Sequence, residues 1–395
     1  MSGPLAGLRV LELGSLIAGP FCAKTLGDFG AEVIKIEPPG EGDALRKWRR
    51  MRQGTSLWWH VQSRNKKSVT CDLRRPEGQE IVRRLARTAH IMIENFRPGA
   101  LERWNLGWDA LSAENRDLIL VRISGYGQSG PYRERPGFAA IAEAVGGMRH
   151  VTGFPDRPPA RPNLSLGDTI AALHGVIGAL LALHAVKHGA GGQVIDVALY
   201  ESVFNCMESL LPEYDAQGYI RERSGSALPG IAPSNLYPCA DRAYVLIAGN
   251  ADSLYRRLMT AIDRTDLRDD PALARNDGRA AQMQRIDDAI AEWTRRRTQS
   301  EVLAAMEAAE VPAGRIYTAA DVAADPHYLA RGMIERITAS DGEPLKVPGI
   351  IPKLSRTPGA IRTNAPRLGE HTEEVLRELG YGNADISRLR DAQVI

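Results

Sequence analysis

Short apolar runs alternate with amphipathic stretches along the first half of the chain. Residues 8–13, 33–37, 68–73, 91–94 and 118–123 are apolar runs of strand length, and residues 20–29 and 76–88 carry helical spacing between them. Strands covered on both faces read as such runs, and helices between them imply parallel βαβ units, hence an open α/β sheet. A long apolar helix is predicted over 169–187, then a sixth strand at 193–198 and an apolar helix at 201–211. There the pattern breaks, because residues 221–233 form a Gly/Pro/Ser-rich loop too long for an ordinary turn. Beyond it come a strand at 243–248, a mostly helical block at 252–310, and a Pro-rich tail from residue 345 that closes with a helix at 370–379.

With 395 residues the chain exceeds the size at which one core keeps growing, so two domains are expected. The pattern predicts a Rossmann-like first half and a separate, smaller domain beyond the long loop. A net charge of +2 offers no global field for nucleic acid or an anionic membrane. Basic clusters such as Arg46-Lys47-Trp48-Arg49-Arg50 read as solvated faces. The four cysteines lie far apart without a CxxC pair, which indicates neither a disulfide framework nor a zinc site. No secretory signal is visible at the N-terminus, and the most apolar stretch, 170–186, contains two histidines and falls short of the ~20 residues that span a bilayer. It reads as a buried helix, and the protein is expected in the cytoplasm.

Chemistry concentrates at Leu166-Gly167-Asp168-Thr169, where a carboxylate stands at the predicted start of the long helix. Asp168 is expected as the N-cap, and the helix dipole and free amides of a first turn also favour a carboxylate as a usable anion. Gly125-Tyr126-Gly127-Gln128-Ser129-Gly130 matches GxGxxG, but Pro131 and Pro136 stand where a phosphate-binding helix has to open. Neither a nicotinamide nor a flavin site is expected. His184 and His188 have helical ligand spacing without a third ligand, so no metal is expected either.

Four separated motifs converge on one family. Pro4-Leu5-Ala6-Gly7-Leu8-Arg9-Val10-Leu11-Glu12-Leu13 with Ala18-Gly19-Pro20, Glu94-Asn95-Phe96-Arg97-Pro98-Gly99, Leu166-Gly167-Asp168, and Leu368-Gly369-Glu370-His371-Thr372 resemble the class III CoA-transferases in order and over essentially the whole chain. That resemblance implies a Rossmann-like large domain over 1–205 completed by 331–395, a linker at 206–224 and a smaller α+β domain at 225–330, together with an interlocked homodimer, a CoA thioester as substrate, and Asp168 as the nucleophile that attacks the thioester. It also implies that Asn95, Phe96, Arg97 and Arg103 contact the nucleotide part of CoA with Arg74 nearby, and that Ala18 lies beside the thioester.

Two departures narrow the reading. Ile17 stands where oxalate-type members carry Gln, and Phe138, in Gly137-Phe138-Ala139, stands where the racemases of the family carry a proton-moving His. A phenyl ring exchanges no protons, so transfer is favoured over racemisation. Segments around Tyr200, Glu213, Arg221 and Leu228-Pro229-Gly230 resemble the branch that uses succinyl-CoA with C4 to C6 dicarboxylates such as itaconate, mesaconate, citramalate or glutarate. A dicarboxyl-CoA needs a cation for its distal carboxylate, which Arg221 or Arg223 can supply beside Gly230 in the loop. The competing readings are an acyl-CoA racemase or isomerase using Asp168 as base, and a noncatalytic acyl-CoA-binding subunit.

Overall fold

The structure, a computed structural model, describes residues 3–395. They divide into two compact units: the chain up to Met148 with Pro162–Gly218 and Leu329–Ile395, and Arg149–Arg161 with Tyr219–Tyr328. The segment 149–161, read from sequence as part of the large domain, thus belongs to the second unit.

Six strands form the sheet of the first unit: β1 (Arg9–Glu12), β2 (Glu32–Glu37), β3 (Lys66–Thr70), β4 (Ile91–Glu94), β5 (Ile119–Ser124) and β6 (Val194–Ala198). Their order is β3-β2-β1-β4-β5-β6, and every pairing is parallel. This is the doubly wound order, in which the direction of winding reverses between β1 and β4. Four helices bear on the site: α1 (Ala18–Asp28), α2 (Pro76–Ala86), α3 (Ala139–Val145) and α4 (Leu166–Lys187). Helices α1 and α4 share one face of the sheet, while α2 and the C-terminal helices Thr372–Glu378 and Asn383–Asp391 cover the other.

Small residues bring α4 down onto the sheet. Ala171, Ala172, Gly175, Ala179 and Ala182 are buried, and a Cβ at Gly175 would sit 3.2 Å from Cys22 Sγ in α1 and 3.4 Å from the side chains of Val121 and Ile123 in β5. On the opposite side Leu173, Ile177, Leu180 and Leu181 are exposed. At 22 residues this helix is, by length and composition, long enough to cross a membrane, contrary to the sequence expectation. It gains its extra length at the N-terminal end, starting at Leu166 rather than at residue 169.

A buried charge network ties β1, β2 and β3 together, running from Lys66 at the start of β3 through Lys35 in β2 to Glu12 and Glu37 at the C-terminal ends of β1 and β2. Lys35 Nζ lies 2.8 Å from Glu12 Oε1 and 2.8 Å from Asp43 Oδ2, and it donates to Gly14 O at 2.8 Å. Lys66 Nζ stands 2.7 Å from Glu12 Oε2. Arg46 grips Glu37 through Nε and Nη2 at 2.8 Å each, and Ser68 Oγ donates to the same carboxylate at 2.6 Å. Three cations thus face three carboxylates, so the cluster is neutral although almost dry. Burial works against the Lys35 ammonium, but Asp43, Glu12 and Glu37 outweigh it and raise its pKa. Burial pulls Lys66 down to about 8, with Glu12 offsetting only part.

The C-terminal tail closes the edge of this sheet. On β3, Ser68 N donates to His371 Nδ1 at 3.2 Å, Thr70 N donates to Thr372 Oγ1 at 2.9 Å, and His371 N returns a bond to Ser68 O at 2.9 Å. The tail also carries a hairpin, Ile334–Thr338 paired with Pro344–Pro348, that the sequence pattern does not announce.

In the second unit an antiparallel sheet of β7 (Ser234–Pro238), β8 (Tyr244–Ala248) and β9 (Ala313–Arg315) has the order β9-β8-β7. It packs on the helices of 252–308 through Tyr237, Val245, Ile247, Leu258, Ile286 and Val302. The helix expected at 201–211 is instead two, Leu199–Phe204 and Leu210–Gln217, and Glu208 in the break adopts φ 51°. The second of them lies within the stretch read as a linker.

Glu12→Gln leaves two buried ammonium groups short of one countercharge, and the unfolding free energy is expected to fall by about 3–5 kcal/mol, measured by urea titration. A loss below about 1 kcal/mol would show that water already reaches the cluster.

Candidate functional site

A cavity of about 360 Å³ opens beyond the C-terminal ends of β1, β2 and β3, beside the point where the winding reverses. Open α/β sheets bind their ligands at this place. Its walls are apolar, formed by Leu13, Leu16, Ile36, Leu73, Phe96 and Trp104, while Lys35, Asp43 and Arg74 reach it from the polar side. Phe96 and Trp104 pack edge to face with ring centroids 5.1 Å apart, which holds the Phe96 ring upright in the wall.

Of the cations named from sequence, Arg74 lines the cavity but is already held by Asp72, with Nε to Oδ1 and Nη2 to Oδ2 both at 2.9 Å. Arg97 and Arg103 are exposed and have no ion-pair partner among the described residues. Gly99, with φ 81°, turns the chain between them, and Arg103 closes the short helix Ala100–Arg103.

Asn95 is bound to the protein itself. Its Oδ1 accepts from Ser15 N at 2.8 Å and its Nδ2 donates to Ser15 O at 2.9 Å, so the side chain spans the reversal from β4 to the turn after β1. Glu94 supports the same segment from below. It accepts from Phe96 N at 2.7 Å and from Arg122 Nε at 2.7 Å, and Arg122 continues to Glu102 at 2.6 Å. Burial pushes the Glu94 carboxyl up to about 7 in spite of Arg122.

Asp168 is not the N-cap of its helix. Helix α4 starts at Leu166, flanked by Ser165, which makes no side-chain cap bond, and Asp168 stands in the first turn. The cap comes from elsewhere: Glu143, fully buried in α3, accepts from Gly167 N at 3.4 Å. Gly167 is needed for this approach, because a Cβ there would meet Ala139 O at 3.2 Å and Ala139 Cβ at 3.3 Å. Helices α1 and α4 both run antiparallel to the strands, and they touch at Cys22 and Gly175. Cys22 lies four residues into α1 from Ala18 and Gly175 seven residues into α4 from Asp168. At ~1.5 Å per residue, both first turns reach the same edge of the sheet as the cavity, with Asp168 roughly one turn further out. The half-buried carboxylate therefore sits where helix amides and dipole favour an anion.

Ala18 and Ile17 are buried, so what they turn toward the edge is backbone, the free amides of the first turn of α1. Phe138, at the start of α3, is 73% exposed and offers only hydrocarbon. The GxGxxG match has a packing origin: a Cβ on Gly125 would meet Gly137 Cα at 3.0 Å, while Gly127 and Gly130 take φ of 87° and 81° to turn the chain. No helix follows until Ala139.

Arg221, Arg223 and Gly230 lie in the second unit. Arg223 Nη1 donates to His150 O at 3.1 Å, and its Nε, shielded from solvent, has no hydrogen-bond partner among the described residues. Gly230 has φ 78°, and its carbonyl accepts from Asn276 Nδ2 at 2.8 Å. The fully buried Arg279 holds Ala232 O at 3.0 Å and also binds Asn250 O and Asp252 at 2.8 Å each. The C-terminal stem of the loop is thus fixed, while Gly225 turns the chain with φ 67° and donates its amide to Gly153 O at 2.9 Å.

The sequence pattern described as CoA-transferase family III matches residues 5–372. Succinyl-CoA–D-citramalate CoA-transferase of Chloroflexus aurantiacus is 48% identical over 394 residues, covering 99% of this chain and 98% of its own. Succinate–glutarate CoA-transferase of Agrobacterium fabrum is 35% identical over 386 residues, covering 95% and 96%. Among solved structures, a CaiB/BaiF family protein from Brucella suis superposes with a TM-score of 0.83 at 36% identity, over 96% of this chain and 100% of that one. A carboxylate at the first turn of α4, a nucleotide-sized cavity at the winding reversal and these likenesses over nearly the whole length agree: the chain belongs to CoA-transferase family III.

Proposed function

We propose that the protein transfers CoA from succinyl-CoA to a C4 to C6 dicarboxylate such as citramalate, itaconate, mesaconate or glutarate, with Asp168 as the covalent carrier. The observation that carries this reading is the Asp168 carboxylate in the first turn of α4, at the same edge of the sheet as the first turn of α1 and the apolar cavity. The dicarboxylate specificity is supported by the relatives that act on D-citramalate and on glutarate.

The steps balance without an oxidant or a metal. An Asp168 oxygen adds to the thioester carbonyl, the C–S bond breaks, and CoA leaves as thiolate from a mixed anhydride. The thiolate then attacks the aspartyl carbonyl, releasing succinate and leaving an aspartyl-CoA thioester. An acceptor carboxylate attacks that thioester and expels the thiolate, and the thiolate takes the acceptor acyl group from the second anhydride, freeing Asp168. Each step exchanges one acyl bond for another of similar energy, which is the benefit of a covalent route. Free amides at Ala18 and Gly19 are placed to receive the negative charge that develops on the carbonyl oxygen.

The nucleotide of CoA is assigned to the cavity, its base against Phe96 and its phosphates near Arg97, Arg103 and Arg74. Arg223, with its orphaned Nε, and Arg221 are assigned to the distal carboxylate. Ile17 and Phe138 supply apolar surface. The functional form is a homodimer, which would cover the exposed Leu173, Ile177, Leu180 and Leu181 of α4.

Asp168→Ala is expected to abolish exchange between succinyl-CoA and the dicarboxylates while the chain still folds, which thermal melting checks. Hydroxylamine added during turnover should modify the peptide that contains Asp168. Substantial transfer by the Ala variant in a donor-by-acceptor assay read by mass spectrometry would remove the mechanism. Arg103→Ala should raise KM for CoA thioesters severalfold with little change in kcat, and the effect should shrink in high salt. For Arg223→Met the expected signature is a higher KM for dicarboxylate acceptors than for monocarboxylates of equal length; equal KM changes for both would move the distal-carboxylate role elsewhere.

A further inference from the structure

The turn between β1 and α1, residues 14–17, is held by side chains from four separate segments. Lys35 donates to Gly14 O at 2.8 Å, Asn95 binds both Ser15 N and Ser15 O, and Gln62 Nε2 donates to Ile17 O at 2.9 Å. Asp43 accepts from Leu16 N through both oxygens, at 3.0 and 3.2 Å. Between these clamps Leu16 has φ 65°, the left-handed region that leucine avoids. Such a conformation persists only where the surroundings over-determine it. Two further facts show how closely the grip is built. A Cβ on Gly14 would lie 2.9 Å from Asn95 Oδ1, so the residue must be glycine for Asn95 to reach Ser15. Asp43 is itself fixed, accepting from Leu45 N at 2.9 Å and donating its own amide to Glu37 at 2.9 Å.

We propose that Asp43 and Asn95 are positioning residues for transfer: they hold Leu16 in its left-handed conformation and so aim the first amides of α1, at Ala18 and Gly19, while setting the Leu16 wall of the cavity. The inference rests on the transfer chemistry proposed above. Neither residue needs to touch substrate. The Asn95 amide is spent on Ser15, and Asp43 faces Lys35 and the backbone. The arrangement also explains why a carboxamide stands at 95 and a carboxylate at 43. Ser15 presents both a donor and an acceptor, which a carboxamide meets with its separate oxygen and nitrogen, whereas Leu16 N presents a donor next to the Lys35 ammonium.

The test separates positioning from contact by splitting kcat from KM. Asn95→Ala and Asp43→Asn are assayed for succinyl-CoA-dependent exchange beside the wild type and Asp168→Ala. Positioning predicts a fall in kcat on the order of 10²-fold, the scale of a misplacement of about 1 Å, with KM for the CoA thioester little changed. A direct CoA contact by Asn95 predicts the reverse, a raised KM with kcat kept, and overturns the proposal for that residue. Leu16→Gly supplies the second arm, because glycine takes positive φ without a clamp. Placed in the Asn95→Ala and Asp43→Asn backgrounds it should recover part of the lost kcat, whereas absence of any recovery in both backgrounds overturns the proposal. Asn95→Ala removes no charge and leaves the buried network whole, so it keeps the test valid if Asp43→Asn unfolds, which thermal melting reports. Exchange that survives in Asp168→Ala would count against the covalent mechanism alone, since the kcat effects of the clamp variants are read independently.

Discussion

The Lys35 ammonium is the point on which the large unit turns. From the middle of β2 it meets Glu12 of β1, Asp43 of the following loop and the carbonyl of Gly14, all at 2.8 Å. A buried charge is tolerable only with its countercharges and hydrogen bonds in place. The positions of β1, the loop after β2 and the turn into α1 are therefore not independent. Satisfying one ammonium fixes all three, and through Glu12 the constraint extends to Lys66 in β3. Apolar packing alone would let these strands slide; the charges specify a single arrangement.

That arrangement explains where the chemistry sits. A doubly wound sheet leaves a crevice at the reversal between β1 and β4, and Asn95 bridges it by clasping Ser15. Two helices of the same face then deliver their first turns to this rim, α1 with bare amides and α4 with a carboxylate. Small residues let α4 lie close: Gly175 against Cys22 along its length, and Gly167 against Ala139 at its start. A group that must accept and return an acyl group gains from such rigidity, because each of its successive reactions needs the same geometry.

All six strands of the large sheet were legible because parallel strands covered on both faces read as largely apolar runs, although β3, which opens with Lys66 and Lys67, starts two residues before the run read at 68–73. The start of α4 was misplaced by three residues for a reason no local pattern can contain: its cap is Glu143, 24 residues earlier in the chain. The charge network left a trace that a stricter reading could have used, since Glu12 and Lys35 interrupt runs otherwise fit for a dry interior. The resemblance set Arg74 near the nucleotide of CoA without revealing its partner Asp72, which stands only two residues away, because their pairing depends on the turn between them. Strands β7 and β9 escaped notice because each is short and flanked by Pro or Gly, which reads as loop. The family motifs carried the rest, as they mark β1 with the turn into α1, the segment after β4, the start of α4 and the tail that closes β3.

The closing of β3 by the tail has a consequence for how the protein comes into being. Ser68 and the His371 that pairs with it are separated by 303 residues. At ribosomal rates of about 5–20 residues per second, the edge strand waits roughly 15–60 s between its own synthesis and the arrival of its cover. During that interval the nascent chain carries an unpaired row of backbone donors and acceptors, beside a Ser68 that also contacts Glu37 of the buried charges. The last few dozen residues thus act as the fastener of a sheet made long before them, and the cell has to shelter that edge until they emerge.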